Sequence, residues 1–531
     1  MGNGIWAQFP KAIFPGDYPD PSILRDGKDY YMTHSPFYYA PGFLIWHSTD
    51  LMHWEPVCRA LPEYEGSAMA PDLLKYQGRY YIYYPTSTGE NYVIYADNIR
   101  GPWSKPVKLD VKGIDPGHVV GEDGKRYLFT NNGWITPLSD DGLKVTGKSR
   151  KVYDGWEYPA NWVTEGKDMY LESPKLLYKD GYYYMMSAEG GTAGPATSHM
   201  CVVARSKSVF GPWENSPYNP IVHTYSASEN WWSKGHGTLI DDVNGNWWVV
   251  YHAYANGYHT LGRSTLIEPI EWTSDGWCRT KQETVWLSEN RQPEWKMELS
   301  DDFSKPELGL QWTFWKEYTP KALTFTEGEM QVKAKGRTPA DGRLLLVTAM
   351  DKCYETEVEV RLGNGNIGGL LLYYNEEAYA GVASDGKNFM VYRGEEKPLT
   401  VANQIGKNFR VKLLNQGNRL KMSVSADGKS WEVLAQNVDV ARLNHNVYKG
   451  FYALRPALLA AGKGKTGFRN FRYRNAIPEE KDMGAYLMVF HRDETHGLYM
   501  AVSRDGYTFT AVNEGEPVLA GDTIAYQRGI R

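Results

Sequence analysis

Four acids and one histidine open five copies of a single phrase in the first 255 residues. The phrase is a polar or acidic residue beside Pro or Gly, a few apolar residues, a Gly-containing turn, then paired aromatics. The copies start at Asp20, Asp72, Asp115, Glu172 and His236, which are 52, 43, 57 and 64 residues apart. If each copy has the same place in its structural unit, these five side chains meet. Carboxylates crowded together repel one another, so a fold that gathers them does so for chemistry. Hydrolysis of a glycosidic bond uses such a set. One protonated carboxyl donates to the leaving oxygen, an ionised one activates water or attacks, and a third acid raises the donor's pKa. Asp20 and Asp115 each precede Pro, which holds the local backbone still. Glu172 has one more methylene and reaches further toward a leaving group.

The repeat also says what must hold these residues. A period of roughly 40–60 residues built from short strands is that of a β-propeller, one repeat per blade. Each copy contains a hairpin turn: Asp26-Gly27, Gln77-Gly78, Asp123-Gly124, Asp180-Gly181 and Asn244-Gly245. These are residue pairs that tolerate positive φ. A second pair of strands follows, closing near Trp54, Trp103 and Trp213. Four strands per copy predict five blades over residues 1–293, with the N-terminal segment beside the last blade to close the ring. Helical periodicity is nearly absent. A different alternation over 299–475 predicts a β-sandwich, after a polar, Pro-containing linker at 288–298. Residues 478–531 read as the opening strands of a further propeller, and the chain is expected to be a fragment of a longer protein. The fold class is therefore all-β: a five-bladed propeller followed by a sandwich.

Bulk properties narrow the partners. The chain has 531 residues, a net charge of −5 and no basic run, which argues against nucleic acid or an anionic membrane. No stretch of 18 apolar residues is present, so no membrane-spanning helix is expected. Nineteen Trp and 39 Tyr suit a carbohydrate partner, although aromatics also fill β-sheets. Four scattered cysteines make no disulfide framework, and no His/Cys cluster suggests zinc. The start has no signal-peptide pattern, which fits a mature secreted enzyme or a cytoplasmic one.

Three segments resemble the signatures of glycoside hydrolase family 43: FPGDYPDPSILRDGKDYYMTHS, GIDPGHVVGEDGKRYL and ESPKLLYKDGYYYMMSAEGGT. The resemblance covers about residues 10–290, and GHGTLIDDVNGNWWVVYHAY and LGRSTLIEPIEW support it. The sandwich, with DDFSKPEL and GGLLLYYN, is similar to the C-terminal module of the β-xylosidase-like members. This resemblance implies an inverting mechanism, with Asp20 as general base, Glu172 as general acid and Asp115 tuning Glu172. Inversion places the two carboxyls roughly 6.5–9.5 Å apart. Arg263 matches the family's sugar-binding Arg. His236 would face the channel, near a buried ion such as calcium or an ordered water; no cofactor is otherwise required. Asp72 would bind sugar or support its blade, and Phe37 and Trp134 would line the pocket or pack in the core. Two motifs depart from the family: Met69 replaces a Trp, and Glu172-Ser173-Pro174-Lys175 stands where Glu-Gly-Pro-His is usual. They bear on sugar identity more than on reaction type. The sandwich would either bind polysaccharide or block one end of the cleft. The expected activity is exo-release of L-arabinofuranose or D-xylose from plant polysaccharide by a secreted or periplasmic enzyme. The alternatives are an endo-arabinanase, an exo-galactosidase, a non-catalytic sugar-binding propeller and a protein-binding scaffold.

Overall fold

In the computed structural model, which describes residues 5–7, 9–166, 168–281, 285–287, 292–477, 485–504 and 506–520, each repeat becomes an antiparallel sheet. The first blade runs Ser22–Asp26, Asp29–Thr33, Gly42–Ser48 and His53–Leu61. The next three begin with Asp72–Tyr76, Gly117–Val120 and Glu172–Lys179. The fifth takes Trp231–Asp241, Trp247–Ala255 and Arg263–Trp272 from its own repeat. Its outer strand is Lys11–Phe14, from the other end of the propeller sequence. The N-terminal segment thus closes the ring, as its place in the sequence predicts. The hairpins obey turn chemistry. Gln77 and Gly78 have φ of 48° and 82°, and Asp180 and Gly181 have 50° and 83°, so both central residues are left-handed.

The tyrosines explain themselves in the packing. Phe43, Ile45, Tyr80, Ile82 and Tyr84 fill the space between the first two blades, and Tyr127, Phe129, Tyr153 and Tyr183 fill that between the third and fourth. Twisted sheets fan apart from the axis, and large flat rings fill the widening wedge.

The second module is two antiparallel sheets of eight and seven strands. The eight-stranded sheet borrows its edge from the propeller, where Tyr39 and Ala40 pair with Trp315 and Phe314. One apolar cluster runs through both modules, from Phe14, Trp46 and Trp54 to Leu299, Trp312 and Phe314. A buried ion pair crosses beside it, Asp17 to Arg455 at 2.8 Å. The stretch expected as a linker is part of the fold instead. Glu294–Trp295 pairs parallel with His53–Trp54 as a fifth strand of the first blade, while 288–291 lie outside the described residues. Further on, Tyr486–Arg492, Gly497–Ser503 and Thr510–Ala511 form a separate three-stranded sheet. Of the 478–531 stretch expected to open a further propeller, residues 478–484, 505 and 521–531 lie outside those described.

Candidate active site

The blades show which residues are equivalent, and the set differs from the one the repeat suggests. Ser22, Asp72, Gly117, Lys175 and Thr238 each pair with the second strand of their blade, opposite Thr33, Tyr83, Phe129, Met186 and Val250. Two residues earlier stand Asp20, Ala70, Asp115, Ser173 and His236. All five are left-handed, with φ of 55°, 40°, 57°, 59° and 54°. Such backbone costs about 1–3 kcal/mol per residue and collects at functional sites. The innermost positions are therefore Asp20, Ala70, Asp115, Ser173 and His236. Glu172 precedes its equivalent by one residue and Asp72 follows its own by two, so the five opening residues do not form one ring.

The offset sends Asp72 elsewhere. Its Oδ1 accepts from Lys175 Nζ at 2.9 Å, and its Oδ2 accepts from the His118 N–H at 2.8 Å. Lys175 Nζ also donates to the Pro71 and Pro116 carbonyls, at 2.9 and 3.2 Å. Asp72 stitches the second, third and fourth blades together, with each of its oxygens already accepting one hydrogen bond. This is the blade-supporting alternative of the expectation, and the unusual Lys175 serves the same strut. Lys175→Ala leaves a buried carboxylate unpaired. Urea unfolding is expected to show a loss of about 3–5 kcal/mol, much of it recovered in Lys175→Met with Asp72→Asn.

Asp20, Asp115, Arg263 and His236 are gathered in one place, each 5% exposed or less. Asp20 Oδ1 accepts from Arg263 Nη1 at 2.8 Å and lies 3.1 Å from His252 Nδ1 and 3.4 Å from His236 Nδ1. Its Oδ2 accepts from the Ser35 hydroxyl, which in turn accepts from the Ala70 N–H. His236 Nδ1 lies 3.8 Å from Asp115 Oδ2. Glu172 joins through its Oε1, 3.8 Å from His199 Nε2. His199 stacks on His252 at 5.4 Å, so contacts through two imidazoles link Glu172 to Asp20. Gly235 makes room for this, since a Cβ there would fall 1.7 Å from the His199 ring. The Glu172 side chain is 19% exposed against 6% for Asp20, which puts it nearer the mouth.

Phe37 and Phe451 complete the pocket, with the Arg263 guanidinium 5.6 and 4.9 Å from their ring centres. Phe451 belongs to the sandwich and is stacked on His445 at 4.3 Å. Phe37 is therefore both wall and interface residue. Trp134 is 42% exposed and so not core. It follows the Asn131–Gly133 turn, whose Asn132 N–H donates to Leu171 O, next to Glu172. The sequence reading missed His252, His199, Ser35 and Phe451. His252 and Ser35 lie inside the motif segments and had a signal in their polarity among apolar neighbours. Phe451 had none.

Electrostatics divide the acids. Burial opposes charge on Asp20, but the Arg263 guanidinium, with His236 and His252, outweighs it and holds the carboxyl well below the usual range. Burial, then the charge on Asp20, pushes Asp115 up to about 7. Burial, then Asp115 and Asp20, pushes Glu172 well above its ordinary value. The site thus pairs a carboxyl held toward its ionised form with one held toward its protonated form, the division that acid–base chemistry uses. Arg263 Nη2, His236 Nε2, His199 Nε2 and Ser173 Oγ are buried without a protein partner, a polar array that hydroxyl groups would satisfy.

The raised Asp115 carries a stability consequence. A carboxyl that holds its proton more tightly when folded favours the fold below its unfolded pKa near 4, and that favour is lost as pH rises through about 7. Asp115→Asn removes the loss. Its melting temperature is expected to exceed the parent's at pH 8 by more than at pH 4.

Among the described residues, Asp20, His236 and His252 are the one group of acid, His or Cys ligand atoms close enough to share an ion, within 4.8 Å. They do not fit calcium, which takes six to eight oxygens. They offer one carboxylate, and Arg263 already occupies it.

Two family models match the chain: glycosyl hydrolases family 43 over residues 9–278, and the β-xylosidase C-terminal concanavalin A-like domain over 300–474. The chain belongs to glycosyl hydrolase family 43. It is 32% identical over 364 residues to a non-reducing end α-L-arabinofuranosidase of Bacteroides ovatus, covering 63% of this chain and 67% of that one. It is 35% identical over 295 residues to a xylosidase/arabinosidase of Butyrivibrio fibrisolvens, covering 50% and 55%. The chain therefore spans little more than half of the second relative and two thirds of the first. A family 43 protein of Bacillus licheniformis superposes with a TM-score of 0.78 at 28% identity, covering 88% of this chain and all of the other. These family 43 structures are five-bladed propellers, the architecture found here.

Proposed function

We propose that the protein is an inverting exo-glycosidase that removes terminal L-arabinofuranose or D-xylose from plant polysaccharides or their oligosaccharides. Asp20 is the general base, Glu172 the general acid, and Asp115 the group that keeps Glu172 protonated. The observation that carries this reading is the placement of two carboxyls in one site, Asp20 deep inside and held by Arg263 at 2.8 Å, Glu172 nearer the mouth with no basic partner but a buried His199. Arg263, His236 and His199 bind sugar hydroxyls through their unpartnered nitrogens. Trp134, on the rim near Glu172, faces the leaving group. Exo action is supported by Phe451, which brings the sandwich against the pocket wall opposite Phe37. This favours the blocking role of the sandwich over a separate polysaccharide-binding one.

The names of the relatives, an arabinofuranosidase and a xylosidase/arabinosidase, support both sugars. An ion other than calcium near His236 would be held by Asp20, His236 and His252, whose ligand atoms lie within 4.8 Å of one another. Secretion or a periplasmic location follows only from the polymeric substrate, and the three-stranded sheet from Tyr486 is proposed to belong to a further module. The test is a panel of 4-nitrophenyl α-L-arabinofuranoside, β-D-xyloside and β-D-galactoside, with chromatography of digests of arabino- and xylo-oligosaccharides. Release of the pentose alone from the earliest time points is expected. Early oligosaccharide products, or turnover of the galactoside only, would overturn it.

A further inference from the structure

A small, partly open cavity lies between propeller and sandwich. Its volume is about 50 Å³, and Asp17, His34, Trp46, Arg59, Thr348 and Arg455 are among its walls. That holds a small ion with one or two waters, since one water needs roughly 10–15 Å³. The walls hold idle hydrogen-bond donors. Arg455 Nε, Trp46 Nε1 and both His34 nitrogens, of which one donates in the neutral ring, are buried without a protein partner. His34 is 6% exposed, Trp46 0% and Arg455 5%. Guanidinium and indole N–H groups can only donate, so the space suits an acceptor.

The charges agree. Asp17 is committed to Arg455 Nη2 at 2.8 Å. Arg59 donates only to carbonyls, Pro41 O at 2.8 Å and Leu310 O at 3.0 and 2.6 Å, and no carboxylate pairs with it among the described residues. Burial keeps His34 neutral. Two guanidiniums thus face one carboxylate, an excess of positive charge that an anion would balance. Arg59 and Gln311 are only half-buried, which leaves a way in from the surface.

We propose that this cavity is a binding site for a monovalent inorganic anion of halide size, which neutralises the Arg59–Arg455 pair and pins the sandwich to the propeller. The site also touches the catalytic machinery: His34 precedes Ser35, whose hydroxyl donates to Asp20. The inference stands whatever sugar the enzyme cleaves.

Two measurements test it. Thermal unfolding in sodium chloride, bromide or gluconate at equal ionic strength should show a saturable rise in melting temperature with the halides and none with gluconate, an ion too large to enter. Trp46→Phe removes one donor while keeping a ring, and should raise the half-saturating chloride concentration about tenfold. Crystals of the unaltered protein soaked in bromide decide the matter even if that variant folds poorly. An anomalous peak within hydrogen-bonding distance of Arg455 Nε and Trp46 Nε1 is expected. A cavity holding only water at saturating bromide would overturn the proposal.

Discussion

Asp20→Asn is expected to lower kcat/KM roughly 10³–10⁴-fold on every substrate, whatever its leaving group. The amide keeps the size of the carboxyl and its one oxygen can still accept from Arg263, while its NH2 faces the Ser35 oxygen, so the pocket wall survives. What is lost is the base, an effect of about 10²–10⁴, and with it the charge that helps keep Glu172 protonated. The loss falls mainly on kcat, because Arg263 Nη2, His236 Nε2 and His199 Nε2 still meet the sugar. The variant should also be less stable, since Arg263 loses its 2.8 Å carboxylate partner and keeps its buried charge. Steady-state kinetics with aryl and natural glycosides check the first part, and thermal unfolding the second. Retention of more than a tenth of the parent kcat would remove Asp20 from the proposed role.

Glu172→Gln is expected to behave differently in both respects. A general acid matters in proportion to the basicity of the leaving oxygen. The loss should reach roughly 10³–10⁴-fold on xylo- or arabino-oligosaccharides and shrink to about tenfold or less on a 2,4-dinitrophenyl glycoside, which departs without a proton. Stability should move the opposite way from Asp20→Asn. Glu172 holds its proton more tightly in the fold than in the unfolded chain, so the parent loses stability as pH rises through the raised value, and Gln does not. The variant should melt higher than the parent at pH 8 and nearly with it at pH 4. Equal losses on good and poor leaving groups would contradict the acid assignment.

The propeller was legible because its signals are local. Gly-containing turns at fixed offsets, period-2 strands and a recurring Pro are each short-range, and the ring closes for a reason the sequence also carries, an N-terminal strand with no other partner. The register of the innermost ring was not legible. Asp72 and Glu172 occupy similar places in their phrases, yet a shift of one or two residues turns one into a strut with Lys175 and leaves the other at the pocket mouth. Only the strand pairing fixes that shift, because successive side chains in a strand point to opposite faces. The linker was misread because polar residues and a Pro do not forbid an edge strand, and Glu294–Trp295 is one. Phe451 was invisible for another reason. It lies 414 residues from Phe37 in the sequence, and only the docking of the two modules brings their rings to 6.1 Å.

Carboxyl-carbon NMR titration of protein labelled in its Asp and Glu side chains, assigned with Asp20→Asn and Glu172→Gln, addresses the division of protons most directly. The Glu172 signal should titrate well above the ordinary glutamate range, while the Asp20 signal should stay ionised well below the ordinary aspartate range. A Glu172 signal that titrates near 4.5, or an Asp20 signal that titrates above 5, would contradict the mechanism at its root.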